Sequence, residues 1–245
     1  MEIKSNDDFL RGLAASGIHY PGEYFNYKAY FLFRGIDFKD KTVVDIGCGN
    51  GVFSFYAVYK GAKKAVCLEP LAEGSNQNSI EQFLRLQQYF QGYNIILKRE
   101  AFQSFDSRGE KFDVILLHNS INHLDEEACI NLLKDRASRL TYKEVFNKLS
   151  SMANPGCRLI ICDCSRHNFF ASFKIKNPFA PTIEWHKHQR PQTWIRLLKQ
   201  CGFEKPKIEW SVFRIFGRPG RVLLNNELAA YFTRSYFCLK MIYPQ

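Results

Sequence analysis

Thr42-Val43-Val44-Asp45-Ile46-Gly47-Cys48-Gly49-Asn50-Gly51-Val52-Phe53 passes from a β-branched run through three glycines into an apolar stretch. The order is strand, tight turn, helix. Glycine lets the backbone turn sharply and admits a ligand where a Cβ would stand. The first turn of the following helix has free N–H groups that can face that ligand. In dinucleotide enzymes such a turn holds a pyrophosphate. Two acidic residues argue against that ligand. Asp45 stands at the strand end, where a carboxylate would repel a pyrophosphate and attract an ammonium or sulfonium. Glu69 closes the next strand-like run, Lys64–Leu68, and an acid there can accept ribose hydroxyls.

Outward from this loop the pattern alternates. Strands are expected at 42–46, 64–68, 94–98, 112–117, 157–162, 207–213 and 235–241, and helices at 52–60, 75–90, 125–134, 141–153 and 191–200. Asn154-Pro155-Gly156 is expected to stop the fourth of these helices, and Gly202 the fifth. Such alternation implies an α/β fold with a mostly parallel sheet and right-handed helical crossovers. Residues 1–40, with an aromatic-rich stretch at 24–34, are expected to form a helical N-terminal lid, and 41–245 the ligand-binding domain. Residues 165–190 form a long irregular segment, and loops of that length are usually functional or disordered. Residues 217–235 make a long connection to the last strand.

Val43–Gly51 resembles the first motif of class I S-adenosylmethionine-dependent methyltransferases, small-molecule type, and Cys67-Leu68-Glu69-Pro70 resembles their second, acidic motif. The resemblance spans roughly residues 20–245. It implies a Rossmann-like sheet of seven strands, order 3-2-1-4-5-7-6, with the last strand antiparallel. It further implies that Asp45, Gly47, Cys48 and Gly49 surround the methionine part of S-adenosylmethionine, that Glu69 and Pro70 hold the ribose, and that Glu100, Ala101 and Phe102 flank the adenine. His118 and Asn119, after the fourth strand, would line the methionine end. S-adenosylhomocysteine would be the product.

On the acceptor side, a base helps a hydroxyl nucleophile, and a histidine suits that role. His123 is the candidate catalytic base. Tyr20, Tyr24, Lys28, His123, His167 and His186 are candidate acceptor-binding residues. A packing role for His123, and a solvated loop around His186 and His188, are the plainer alternatives. No metal site is expected: His186 and His188 are an isolated pair, and Cys162-Asp163-Cys164 has no second pair at zinc spacing. The eight cysteines read as small buried thiols of a reducing compartment.

The net charge of +10, from 34 basic and 24 acidic residues, favours a polyanionic partner such as RNA, a membrane surface or a phosphorylated substrate. Its modest clusters are Lys60–Lys64 and Arg214–Arg221. No stretch approaches a membrane span, and the N-terminus lacks a signal-type apolar run, so the expected compartment is the cytoplasm. The leading expectation is methyl transfer to O or N of a small molecule. The alternatives are an RNA or tRNA methyltransferase, a non-catalytic S-adenosylmethionine-binding protein and a nicotinamide oxidoreductase. No Asn-Pro-Pro-Tyr-like segment follows the fourth strand, which argues against methylation of a nucleobase amino group.

Overall fold

The computed structural model describes residues 6–70, 77–211 and 224–244. Its strands are β1 Thr42–Ile46, β2 Lys64–Leu68, β3 Ile95–Lys98, β4 Phe112–His118, β5 Ala153–Cys164, β6 Glu204–Ser211 and β7 Tyr236–Ile242. They form one sheet in the order β3-β2-β1-β4-β5-β7-β6. β1 pairs in parallel with β2 and β4, and β2 with β3, whereas β7 runs antiparallel to β5 and β6. The order and the reversed last strand match the sequence expectation. The chain divides into two compact units, Met1–His118 and Asn119–Gln245.

In the first unit, β1 and β2 are built from β-branched and small apolar residues, and β1 is buried along its whole length. Helix α3, Val52–Tyr59, is buried at every position. The N-terminal helices α1, Asn6–Ala15, and α2, Gly22–Phe33, supply the rings that cover it. Phe9 is fully buried, with ring centroids 5.3 Å from each of Phe25, Tyr56, Tyr59 and Phe90. Phe90 directly follows α4, Gln77–Tyr89. A segment expected only to cap a site therefore also builds this unit's core. Of the Lys60–Lys64 cluster, Lys64 is tied to Glu110 at 2.6 Å.

In the second unit, α5, Glu126–Asn131, and α6, Arg136–Ser151, both begin at aspartates that accept backbone N–H bonds, Asp125 from Ala128 and Asp135 from Ala137 and Ser138. That cap starts α6 at Arg136 rather than at 141. Asn154-Pro155-Gly156 does not end it either. The helix stops at Ser151, and the tripeptide lies inside β5, where Gly156 takes φ +82° and donates its N–H to Tyr243 O at 2.9 Å. Helix α8, Pro191–Gln200, packs Trp194 against Tyr142 and Phe146 of α6 at 5.0 and 5.9 Å. Short helices α7, Phe169–Ser172, and α9, Glu227–Tyr231, occupy the expected irregular segments. The Arg214–Arg221 cluster, residues 217–223 of the last connection and the final two positions of the strand expected at 207–213 lie outside the described residues.

Tyr142 is fully buried, and its hydroxyl lies 2.9 Å from Ile121 O and 3.2 Å from Asp125 O, pinning the turn before α5 to α6. Tyr142→Phe removes that donor without opening a cavity. It is expected to cost about 1–2 kcal/mol, lowering the melting temperature by roughly 2–8 °C, as read by thermal denaturation. An unchanged melting curve would show that the hydroxyl contributes nothing.

Candidate functional site

The site of the first unit is assembled by register. Asp45 pairs with Cys67, and Cys67 with Leu97, so β1, β2 and β3 end at one level. The glycine turn is fastened to the end of β2: Gly47 and Cys48 donate their N–H groups to Leu68 O at 2.8 and 3.0 Å. Glu69, the next residue, accepts the Gly49 N–H at 2.7 Å through Oε2. Asn50 reaches Gln82 of α4 at 3.0 Å.

Two glycines are demanded by geometry. Gly51 takes φ +72° at the start of α3, and a Cβ there would stand 2.5 Å from the buried ring of Phe83. Gly49 takes φ +55°, and a Cβ there would meet nothing within 4 Å. The first is closed by the core. The second faces open space, as a ligand-bearing position requires.

Asp45 is 2% exposed. Its Oδ2 accepts the Ser54 hydroxyl at 2.6 Å, while its buried Oδ1 has no partner among the described residues. Burial pushes its carboxyl up to about 7, against the Ser54 hydrogen bond and helped by the charge of Glu69. Burial likewise raises Glu69, opposed by the Gly49 N–H. A buried carboxylate oxygen without a donor invites a cationic ligand group. The Cys48 thiol is pushed well up, first by its hydrogen bond to Cys67 and then by burial, so it stays neutral and is no nucleophile.

Tyr20, Tyr24, Lys28 and His118 are joined through ring contacts in this unit. Tyr20 stacks on Tyr24 at 6.1 Å and lies 5.9 Å from Phe25. Phe25 stacks on Phe53 at 6.4 Å, and Phe53 meets the His118 ring at 4.8 Å. Lys28 lies 5.3 Å above the Tyr24 ring. Burial, with the Lys28 ammonium beside it, pushes the His118 imidazole down to about 3, so the ring is neutral. The aromatic N-terminal segment thus runs continuously to the end of β4. Phe102 is buried after β3, with Glu100, Ala101 and Pro70 part-exposed.

In the second unit the expected residues separate. Asn119 takes φ +57° and is held from both sides: its N–H donates to Cys162 O at 2.8 Å, and its side chain accepts the Tyr236 hydroxyl at 2.9 Å. The His123 side chain is 60% exposed and sits 3.4 Å from Glu126. His186 is exposed in a 3-10 turn at Trp185–Lys187. His167 packs 4.7 Å from Tyr231, with Nδ1 buried and its imidazole pushed down by burial.

The residues that do converge there were not anticipated. Asp163, 1% exposed at the carboxyl end of β5, lies 3.0 Å through Oδ1 from Nδ1 of the buried His188. The same oxygen accepts the Cys164 N–H at 2.7 Å, and Oδ2 is buried without a partner. Nε2 of His188 meets no partner among the described residues. A charged residue inside the apolar run 157–164 was the available signal.

Residues 18–207 match the model of the family described as "Methyltransferase domain". Curated relatives match over short stretches: a histone-arginine methyltransferase CARMER of Drosophila mojavensis, 46% identical over 43 residues, and a ribosomal protein L11 methyltransferase of Haemophilus influenzae, 44% over 50. These stretches are 18% and 20% of this chain, and the chain spans only 8% and 17% of those relatives. The fold is similar to that of phosphoethanolamine N-methyltransferase 2 of Haemonchus contortus in complex with phosphomonomethylethanolamine and S-adenosylhomocysteine (TM-score 0.62, 15% identity, covering 99% of this chain and 61% of that one). It is also similar to an S-adenosylmethionine-dependent methyltransferase from Listeria monocytogenes (TM-score 0.57, 14% identity, 89% and 97%).

A carboxylate that received a ligand's cationic group would make binding of that ligand pH-dependent. Protonation below about 7 removes the charge of Asp45, so S-adenosylmethionine is expected to bind about tenfold more weakly at pH 5.5 than at pH 7, by calorimetry. Asp45→Asn should bind weakly at both. The raised carboxyl also sets a sign for stability: its contribution is present below the usual aspartate range and is lost as pH rises through about 7. Without ligand, Asp45→Asn should therefore gain roughly 1–4 kcal/mol over wild type at pH 8 and little at pH 4. A pH-independent affinity in wild type would refute this role.

Proposed function

This chain belongs to the methyltransferase-domain family, and from that premise we propose that it moves the methyl group of S-adenosylmethionine to an oxygen or nitrogen atom of a small-molecule acceptor. Donor binding is read from the first unit. The Oδ1 of Asp45, unpartnered among the described residues, suits the ammonium of the methionine part, and Gly49 leaves room for it. Glu69, anchored through one oxygen by Gly49, has a second oxygen for ribose hydroxyls. Tyr20, Tyr24 and Lys28 cover this end as the aromatic lid. Neutral His118 adds no positive charge against a sulfonium.

The observation that carries the acceptor class is the Asp163–His188 pair. A hydroxyl must lose its proton as it takes a methyl cation, and an amine held as ammonium must lose one first to present its lone pair. Asp163 accepts Nδ1–H of His188, which fixes the tautomer and leaves the Nε2 lone pair free to take that proton. The bound donor supplies the electrophilic methyl on a neutral leaving group, so most of the remaining acceleration comes from alignment. His188 replaces His123 as the base in this reading. His123 is largely exposed and shares Glu126 with Lys187, a geometry suited to a surface ion pair.

The test offers the full chain methyl-labelled S-adenosylmethionine with two acceptor pools, a desalted low-mass extract and total RNA. Label is expected in the low-mass pool; label in RNA would overturn the acceptor class. With the acceptor so found, His188→Gln should lower kcat about 100-fold or more while leaving S-adenosylmethionine affinity intact. Undiminished turnover would remove His188 as the base.

A further inference from the structure

The methyl-transfer reading leaves unused a contiguous apolar surface on the second unit. Phe173 is 64% exposed, Ile175 51%, Phe179 46%, Leu228 70% and Phe232 49%. Ring contacts join its aromatic members: Phe169 lies 4.9 Å from Phe173, 5.3 Å from Phe232 and 5.4 Å from Phe170, and Phe170 lies 6.0 Å from Phe179. Leu228 and Phe232 are four residues apart, one turn along α9 and its C-cap, and so share a face. Proteins rarely leave that much contiguous apolar surface to water without a partner.

Charge identifies the partner. Lys174 and Lys176 alternate with Phe173 and Ile175 and are exposed, so a turn tip carries apolar and cationic groups side by side. Glu227, which precedes the exposed Leu228 on α9, pairs with Arg190 at 3.5 Å. We propose that this patch docks the protein on a bilayer surface rich in anionic phospholipid. Phe173, Ile175 and Phe179 enter the acyl boundary while the Lys174 and Lys176 ammonium groups stay among the headgroups. A single-stranded RNA would use open ring faces for stacking. Here Ile175 and Leu228 have no such face, and Phe170 meets Phe179 at 80°, edge to face. No helix among the described residues is long and apolar enough to cross a membrane, so the attachment is peripheral.

The tip is preformed. Asn168 and Asn177, both buried, donate to Thr233 O at 2.9 and 2.8 Å, and Asn177 accepts the Phe179 N–H at 2.8 Å. These bonds tie the loop to the residues between α9 and β7, so docking costs little ordering entropy.

Cosedimentation of the full chain with vesicles of phosphatidylcholine alone, and of phosphatidylcholine with phosphatidylglycerol, tests the proposal. Binding to the anionic vesicles is expected to be roughly tenfold or more stronger than to the neutral ones. F173S/I175S/F179S should lose that binding by about tenfold or more, and K174E/K176E should abolish the preference for anionic lipid. Both should keep wild-type affinity for S-adenosylmethionine, which separates failure here from failure of the methyl-transfer reading. The proposal is overturned if wild type binds neither vesicle or if the triple variant binds like wild type. It is equally overturned if sedimentation velocity shows the patch to be a self-association surface, with a wild-type dimer that the triple variant makes monomeric. Loss in these variants of RNA binding, with no vesicle binding in wild type, would assign the patch to nucleic acid instead.

Discussion

The first unit is organised around a carboxylate that has no good reason to be buried. Asp45 is the last residue but one of β1, buried inside the sheet, with one oxygen bonded to Ser54 and the other without a partner among the described residues. Burying a charge costs several kcal/mol unless it is paired, and the ligand-free protein meets the cost by holding the carboxyl near half-protonation at neutral pH. The neighbouring backbone is shaped to the same end. Gly47 and Cys48 fold back onto Leu68, Gly49 is gripped by Glu69, and Gly51 lets α3 start under Phe83. Gly51 serves the packing of α3 against Phe83, whereas the open space at Gly49 and the unfilled Asp45 oxygen add little to stability alone.

The second unit repeats the device with different chemistry. Asp163 likewise stands one residue before a strand's end, is buried and keeps one oxygen without a donor among the described residues. Its partner is an imidazole rather than a hydroxyl. A Ser–Asp pair can only hold charge for a ligand, whereas a His–Asp pair can also move a proton. In the proposed reading, donor recognition and acceptor activation would each rest on an aspartate near a strand end whose desolvation is left incompletely compensated, as functional carboxylates commonly are.

What was legible in the chain follows from how local each signal is. The strand-glycine-helix passage at 42–53, Glu69 and the alternation of elements are read from neighbours in sequence, and the sheet order agrees with the one that the resemblance to class I methyltransferases implied. The start of α6 was misplaced because its signal is a single cap, Asp135, among residues with mixed propensity. Asn154-Pro155-Gly156 has turn chemistry, but the bond from Gly156 to Tyr243, distant in sequence, holds it in β5. The aromatic residues of 1–40 were read as a lid, and Phe9 and Phe25 turn out also to fill the core, since burial depends on partners such as Tyr56 and Phe90 that no local pattern names. Asp163–His188 was missed for the same reason. Twenty-five residues separate the pair, and on its own His188 looks no different from His186.

Segment 165–190 shows how an irregular stretch acquires a definite shape without a core of its own. Amides do the work that apolar side chains do elsewhere. Asn168 caps α7 through the Phe170 N–H, shares Thr233 O with Asn177, and donates to the Ser235 hydroxyl, which in turn reaches His167 O. Buried amides with satisfied partners are directional, so they fix one loop conformation where packing alone would tolerate several. That frees the loop's large apolar residues from structural duty. Phe173, Ile175 and Phe179 are exposed although the segment is ordered, because its order rests on Asn168 and Asn177. A surface that keeps its shape without burying its apolar groups is already in the form in which a partner would meet it.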